Sequence, residues 1–387
     1  MKKFFNTIKN IFSIEDLRVR ILNTLGFLIV FRLGSFVVLP GIDPEQLDAA
    51  SGGILGFLDI FLGGAFSRAS IFALGIMPYI SASIVIQLLT VAVPYFQKMQ
   101  KEGESGRKRL TQITRVLTIL ITLVQSWSYL AATVPNEAIL YNGLFFNISS
   151  VIILVSGTMF CMWLGEKITD KGIGNGISML IMIGIISRLP STLIGEAVSR
   201  GMQGALAFIL EMVALFFVVM AVVALTQATR RVPIQYAKQV IGNKMYGGKR
   251  DYIPLKINAS GVMPIIFAQA LMFIPSMVAG LWRDTEIGNY IGATFSDPYS
   301  WQYNLLFGIL ILLFTFFYTA ITVNPNDIAD NLKRNGGFIP GVKPGKQTSE
   351  FIDQILTKIT LPGSIFLAIV AVLPAFVVQA GVNPGFA

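Results

Sequence analysis

Residues 204–227 read Gly204-Ala-Leu-Ala-Phe-Ile-Leu-Glu-Met-Val-Ala-Leu-Phe-Phe-Val-Val-Met-Ala-Val-Val-Ala-Leu-Thr-Gln227, with Glu211 the single ionisable side chain. A helix crossing the hydrocarbon of a bilayer needs about 20 apolar residues. A membrane-barrel strand alternates apolar and polar residues over about ten positions, and this stretch does not alternate. Inside hydrocarbon the backbone polar groups must pair within the segment, which leaves a helix. Outward from it lie further apolar blocks at 19–39, 71–93, 111–134, 148–165, 176–190, 259–282, 303–323 and 361–380. Over the 387 residues, 54% are hydrophobic, 13% are charged and the mean hydropathy is +0.68. A soluble domain averages about 25% charged residues. A soluble globular fold is excluded. The chain reads as an all-α polytopic membrane protein with nine spans.

One further apolar segment, 54–66, is too short to cross and suggests a buried or re-entrant half-helix ended by Gly63 and Gly64. Pro78, Pro264 and Pro275 fall inside apolar blocks, where proline breaks a helix bond and bends the axis. Interrupted helices line cavities, because irregular backbone must be shielded from lipid.

Charge sets the orientation. Twenty-five of the 30 lysines and arginines fall in the N-terminal stretch and in loops 94–115, 166–175, 228–258 and 324–360. That asymmetry predicts a cytoplasmic N-terminus. The other five are Arg32, Arg68, Arg188, Arg200 and Arg283. Nine spans then leave the C-terminus outside, with no closing basic segment, so a tenth span is expected to be missing there. A cleavable signal peptide is not expected, since no A-x-A site follows the first apolar run.

Other chemistry is narrowed by omission. The chain has one cysteine, Cys161, and no histidine. An intramolecular disulfide, a histidine-ligated metal, a Ser-His-Asp triad and a histidine-held haem are excluded. No G-x-x-x-x-G-K-[ST] phosphate loop occurs, so no nucleotide hydrolysis is expected. The glycines of Gly172-Ile-Gly-Asn-Gly176 lie between two spans rather than after a soluble strand, so they read as a tight turn capping the 176–190 helix. No cofactor is expected.

Loops 228–258 and 324–360 are long and basic. They could simply set topology and touch anionic lipid, at about 1 kcal/mol per basic group. Yet Tyr246-Gly-Gly248 and Gly336-Gly-Phe-Ile-Pro-Gly341 add turn chemistry that an anchor does not need. They also read as two structured fingers that could dock something acidic, such as ribosomal RNA or an acidic protein face. Glu211 is either a polar contact with a neighbouring helix or a proton or cation site. One acid without a partner at helical spacing makes a poor relay, but it keeps a small-solute secondary transporter open as an alternative. A non-transporting insertase or scaffold would need no half-helix.

The motifs carry a family resemblance. Gly64-Ala-Phe-Ser-Arg-Ala-Ser-Ile-Phe-Ala-Leu-Gly-Ile-Met-Pro-Tyr-Ile-Ser-Ala-Ser-Ile84 resembles the plug and second helix of the SecY family, the pore-forming subunit of the general (Sec) protein-translocation channel. Lys101-Glu-Gly-Glu-Ser-Gly-Arg107 is similar to its next cytoplasmic loop. Met162-Trp-Leu-Gly-Glu166 and Gly172-Ile-Gly-Asn-Gly-Ile-Ser178 resemble the junction of its fourth and fifth helices. Asn331-Leu-Lys-Arg334, Phe338-Ile-Pro-Gly341 and Pro344-Gly-Lys-Gln-Thr348 resemble its last large cytoplasmic loop. The resemblance runs from about residue 15 to 375.

The resemblance implies two pseudo-symmetric helical halves around an hourglass pore, 1–200 with spans one to five and 201–387 with spans six to nine. It implies a plug at 54–66, carried by Ile54, Leu55, Phe57, Leu58, Ile60, Phe61, Gly63 and Gly64. The positions matching the family's pore ring are Ile76, Ile80, Ile177, Ile181 and Ile266. Taken singly, isoleucine in a membrane helix mostly faces lipid or a neighbouring helix. The lateral gate would lie between spans 71–93 and 259–282, with Gln87 and Asn258 at polar gate positions. Arg230, Arg231, Lys244, Lys333, Arg334 and Lys343 match basic positions that dock the motor or ribosome. Lys343 stands where many members have arginine, which keeps the charge and loses the bidentate fork.

The activity implied by the resemblance is that of a passive, non-enzymatic pore. It would pass unfolded secretory polypeptides across the membrane and release membrane segments sideways into lipid. The implied partners are SecE-like and SecG-like small membrane subunits, a SecA-type ATPase, the ribosome, signal-sequence-bearing precursors and anionic lipids. The expected location is the cell inner (plasma) membrane rather than a thylakoid.

Overall fold

A long apolar segment can satisfy its backbone without water by coiling, and the computed structural model takes that course. It describes residues 6, 12–47, 63–140, 143–201, 204–236, 238–241, 244–247, 250–272, 294–295, 297–379 and 381. The helices are α1 (Glu15–Gly34), α2 (Met77–Ala92), α3 (Pro94–Lys101), α4 (Glu104–Thr133), α5 (Leu144–Lys171) and α6 (Gly176–Arg200). They continue as α7 (Ala205–Gln227), α8 (Met263–Leu271), α9 (Trp301–Thr322), α10 (Pro325–Arg334) and α11 (Lys346–Gln379). Among the described residues six stretches are long and apolar enough to cross a membrane, or seven if α2 and α3, bent by 102°, form one broken span. The six match the blocks at 111–134, 148–165, 176–190, 204–227, 303–323 and 361–380. The 19–39 block is helical only to Gly34, in α1, whose first turn is acidic (Glu15, Asp16) and whose last turn carries Arg32, complementing the helix dipole.

Two prolines act differently from the sequence reading. Pro78 opens α2 and Pro264 opens α8 within the first two helical positions, where the missing N–H is not needed. They set where helices start and do not kink them. The 71–93 block is therefore helical only from Met77, and residues 71–76 form turns. Pro275 lies outside the described residues, as does the rest of the 259–282 block beyond Met272.

The chain divides into two compact units, Met1–Ile194 and Gly195–Ala387. In the first, α4 packs on α2 and α5, and α1 packs on α5. The α4 interface is lined by Thr114, Thr118, Thr122 and Ser126, all buried. The three threonine hydroxyls donate to carbonyls four residues back, at 2.9, 2.7 and 2.6 Å. Small side chains whose polar groups are satisfied locally let membrane helices approach closely.

In the second unit, α9 packs on α8 and α11, and α10 packs on α11. The helix α7 buries none of its residues. The basic loop 228–258 is built of strands. It forms β1 (Thr229–Tyr236), β2 (Lys238–Ile241), β3 (Lys244–Gly247) and β4 (Arg250–Lys256). Strands β1 and β4 pair antiparallel, Arg231 opposite Pro254 and Val232 opposite Ile253. Strand β5 (Gly337–Phe338), from the other basic loop, pairs with the far end of β1, giving the order β4-β1-β5. Pro233 is tolerated in the middle strand because β5 reaches only Gln235 and Tyr236, which leaves that edge of β1 unpaired at 233.

Candidate functional site

Four of the five isoleucines singled out in the sequence come together in the first unit. Ile76 immediately precedes α2 and is buried; Ile80 lies one turn along it. Ile177 and Ile181 occupy the first two turns of α6. All four belong to one apolar cluster with Leu28, Phe31, Phe72, Leu164, Ile168 and Leu180, in which Ile80, Ile177 and Ile181 stay partly exposed. The i, i+4 spacing keeps Ile177 and Ile181 on one helix face. The fifth, Ile266, is on α8 in the second unit. It is half-buried and absent from that unit's apolar core, although its neighbours Phe267 and Ala268 are buried.

The start of α6 is fixed by its turn. Asn175 Oδ1 accepts from the backbone N–H of Ile177 and Ser178 at 3.0 and 3.2 Å, an N-cap. Thr169 Oγ1 accepts from Gly176 N at 2.9 Å, and Thr24 Oγ1 accepts from Ile173 N at 3.1 Å. Gly174 sits at φ +72°. A Cβ on Gly176 would stand 1.9 Å from the Gly165 carbonyl oxygen, and one on Gly165 would stand 3.1 Å from Ile177 Cγ1. Glycine at both positions lets the end of α5 and the start of α6 touch, which aims Ile177 and Ile181. The sequence identified the turn and missed this contact; the glycines of the two motifs were its only signal. Replacing Gly176 by alanine should lower the thermal midpoint of the protein in detergent, since overpacking of this kind costs about 1–3 kcal/mol. An unchanged midpoint would mean that α5 and α6 part freely there.

Of the plug residues, Ile54, Leu55, Phe57, Leu58, Ile60 and Phe61 lie outside the described residues. Gly63 and Gly64 adopt φ +62° and +89°, a left-handed turn that glycine enters freely. The chain after them is tied down. Tyr129 Oη donates to Phe66 O at 2.6 Å, Leu39 N donates to Ala69 O at 2.8 Å, and Ile71 N donates to Val37 O at 2.9 Å.

Gln87 lies on α2 and donates through Nε2 to Ser83 Oγ at 3.4 Å. In the second unit Asn258 Oδ1 accepts from Ser260 Oγ at 3.3 Å.

Five of the six basic residues singled out in the two loops share one body, and the sixth, Lys244, is on the separate β2–β3 pair. Arg230 and Arg231 are exposed on β1, Lys333 and Arg334 are exposed in the last turn of α10, and Lys343 is exposed after β5. Lys244 opens β3. Beneath them Val232, Ile234, Leu255, Leu332, Ile339, Ile352 and Leu356 form one apolar core. The two loops read as structured fingers are joined by strand pairing and by this core.

Glu211 is paired. Its Oε1 accepts from Arg200 Nη2 at 2.6 Å, while Arg200 Nε donates to Glu196 Oε1 at 2.8 Å, and the Glu196 side chain is fully buried. The partner lies across the α6–α7 turn, a proximity that helical spacing along α7 alone does not reveal.

The long apolar helices define a polytopic helical membrane protein. Its backbone matches a solved structure described as a protein conducting channel at TM-score 0.68, covering 95% of this chain and 88% of that one, at 17% identity. It also matches Sec61 in the canine ribosome-channel complex from the endoplasmic reticulum, at TM-score 0.63 and 16% identity, with 95% and 88% covered. At the level of sequence, the SecY family model matches residues 70–386. Protein translocase subunit SecY of Escherichia coli K12 is 42% identical over 378 residues, covering 94% of this chain and 85% of the relative. The Mycobacterium tuberculosis protein of the same name is 39% identical, covering 95% and 88%. The chain belongs to the SecY family.

Proposed function

We propose that this chain is the central, non-enzymatic subunit of a protein-conducting channel that passes unfolded secretory polypeptides across the membrane and releases membrane segments sideways into lipid. The observation that carries the reading is the meeting of Ile76, Ile80, Ile177 and Ile181 at the starts of α2 and α6. Branched aliphatic side chains around an opening exclude ions by dewetting and offer no fixed partner to a passing chain. With Ile266 contributed by the second unit they would make the constriction of an hourglass pore, and segment 54–66 would be its plug. The division at residues 194 and 195 supports a pseudo-symmetric pair of halves, 1–200 and 201–387. Gln87 and Asn258 would flank a lateral gate whose polar contacts are weak enough to be displaced, at below about 1 kcal/mol each.

Partners are suggested by surfaces. The shared basic body with Arg230, Arg231, Lys333, Arg334 and Lys343, together with Lys244 on the β2–β3 pair, would dock the ribosome or a SecA-type ATPase, either of which would drive transport. The helix α7, apolar over most of its length and with no buried residue, has surface for lipid, anionic lipids included, and for SecE-like and SecG-like small membrane subunits. The location would be the inner (plasma) membrane, N-terminus in the cytoplasm. A solute-coupled transporter would use Glu211 as its proton or cation site, and the ion pair with Arg200 argues for a structural role instead.

A single cysteine placed at Ile80, with Cys161 removed, tests the reading. The channel is reconstituted with its small subunits and a driving partner, and offered a stalled precursor with one cysteine in its mature part. A disulfide that forms only when the precursor has an intact signal sequence is expected. No disulfide from any of the five ring positions would overturn the channel reading.

A further inference from the structure

The motif Met162-Trp-Leu-Gly-Glu166 lies near the end of α5, and the channel reading leaves its glutamate without a task. The residues before the glutamate face the isoleucines. Met162 and Leu164 are buried, and Leu164 belongs to the apolar cluster that holds Ile76, Ile80, Ile177 and Ile181. Gly165 lies against the first turn of α6, where Ile177 leaves no room for a larger side chain. Glu166, the next residue, reaches α4 instead. Arg115 Nη2 donates to Glu166 Oε2 at 2.8 Å and to Oε1 at 2.9 Å, and Arg115 Nε donates to Oε1 at 3.3 Å. A two-toothed pair of this kind fixes orientation as well as distance.

A third helix meets the pair. Helix α2 packs on both α4 and α5. Its Tyr79, directly before Ile80, is partly buried in the same cluster as the isoleucines. Among the described residues, the charges that act on the Tyr79 hydroxyl are Glu166 and Arg115. As a source of stability the pair is minor. The Arg115 and Glu166 side chains are 44% and 29% exposed, and ion pairs this open to solvent add little. Its contribution is therefore geometric.

We propose that Arg115 and Glu166 are positioning residues for the constriction: their ion pair clasps α4 and α5 around α2 and sets where Ile80 stands against Ile177 and Ile181. Tyr79 passes the setting to its neighbour Ile80, and the contact of Gly165 with Ile177 passes it to α6. This role rests on the channel reading. With the clasp undone, the start of α2 would shift and open the isoleucine cluster while the buried side chains beneath stay packed.

The full chain is reconstituted in planar bilayers, and its resting ion conductance is compared with its thermal midpoint in detergent. Arg115→Glu and Glu166→Arg each bring like charges together, and the two combined restore the pair with its polarity reversed. Each single change is expected to raise resting conductance about fivefold with the midpoint almost unmoved. The combination is expected to return conductance to that of the unaltered protein. Single changes that leak no more than the unaltered protein overturn the role, as does a leak that the combination fails to reverse. A leak matched by a large fall in midpoint also overturns it, since loss of the fold would then explain the current. The Ile80→Gly, Ile181→Gly pair is measured alongside. If that pair leaks while the charge variants stay sealed, the clasp fails and the channel reading stands. If none of them leaks, the constriction fails and the clasp with it. Should a single charge reversal not fold, Glu166→Asp takes its place, keeping the charge and shortening its reach. It is expected to leak more than the unaltered protein, and an equal conductance overturns the role.

Discussion

Replacing Ile80 and Ile181 together by glycine is expected to make the resting channel leak ions across a planar bilayer. Both side chains sit at the partly exposed rim of the cluster on α2 and α6, so removing them widens an opening without emptying the core beneath. A dewetted constriction holds back ions because they would have to shed water there, and a wider one lets water and ions through. If the double change removes only about 1.4 kcal/mol from that barrier, conductance rises about tenfold. Glycine in a helix also costs about 1 kcal/mol, so the same positions are changed to leucine as a control for stability. The leucine pair should stay sealed. A glycine pair that leaks no more than the unaltered protein would remove these residues from the constriction.

Reversing charge at Arg230 and Arg231 is expected to weaken binding to the ribosome by roughly a hundredfold at low salt, two charge-assisted contacts being lost. Both side chains are exposed on β1 while Val232 and Ile234 face the core, so the variants keep the sheet. The salt dependence is the sharper readout. Each lost contact to a phosphate should reduce the slope of log affinity against log salt by about 0.7–0.9. A loss of affinity with an unchanged slope would point to an acidic protein face instead of ribosomal RNA. No loss at all would leave these arginines with topology and lipid alone.

Much of this molecule was legible because hydrocarbon permits few solutions. Runs such as 204–227 and 148–165 had to be helices, and they fold as α7 and α5. Residues 71–76 were misread for the same reason: they are as apolar as a helix, but residues 69–71 pair with 37–39 and the chain then runs through successive turns, which composition does not record. The prolines misled because their effect depends on the register of the helix start. Pro78 is harmless at the start of α2 and would break the same helix a few residues later.

The sheet was hidden because its strands are short and come from segments about a hundred residues apart. Nothing in Gly337-Phe338 suggests a strand; β1 makes it one. The isoleucine candidates came from motif resemblance, since isoleucine is too common in such helices to stand out alone.

The pairing of β5 with β1 limits how the parts can be exchanged between relatives. A hybrid receiving residues 228–258 from another family member, but keeping its own 324–360, would meet a foreign third strand at Gln235 and Tyr236. It would also set foreign residues against Leu332, Ile339 and Ile352. The two segments should therefore transfer between species as a pair or not at all, and over time a change in one would be answered in the other.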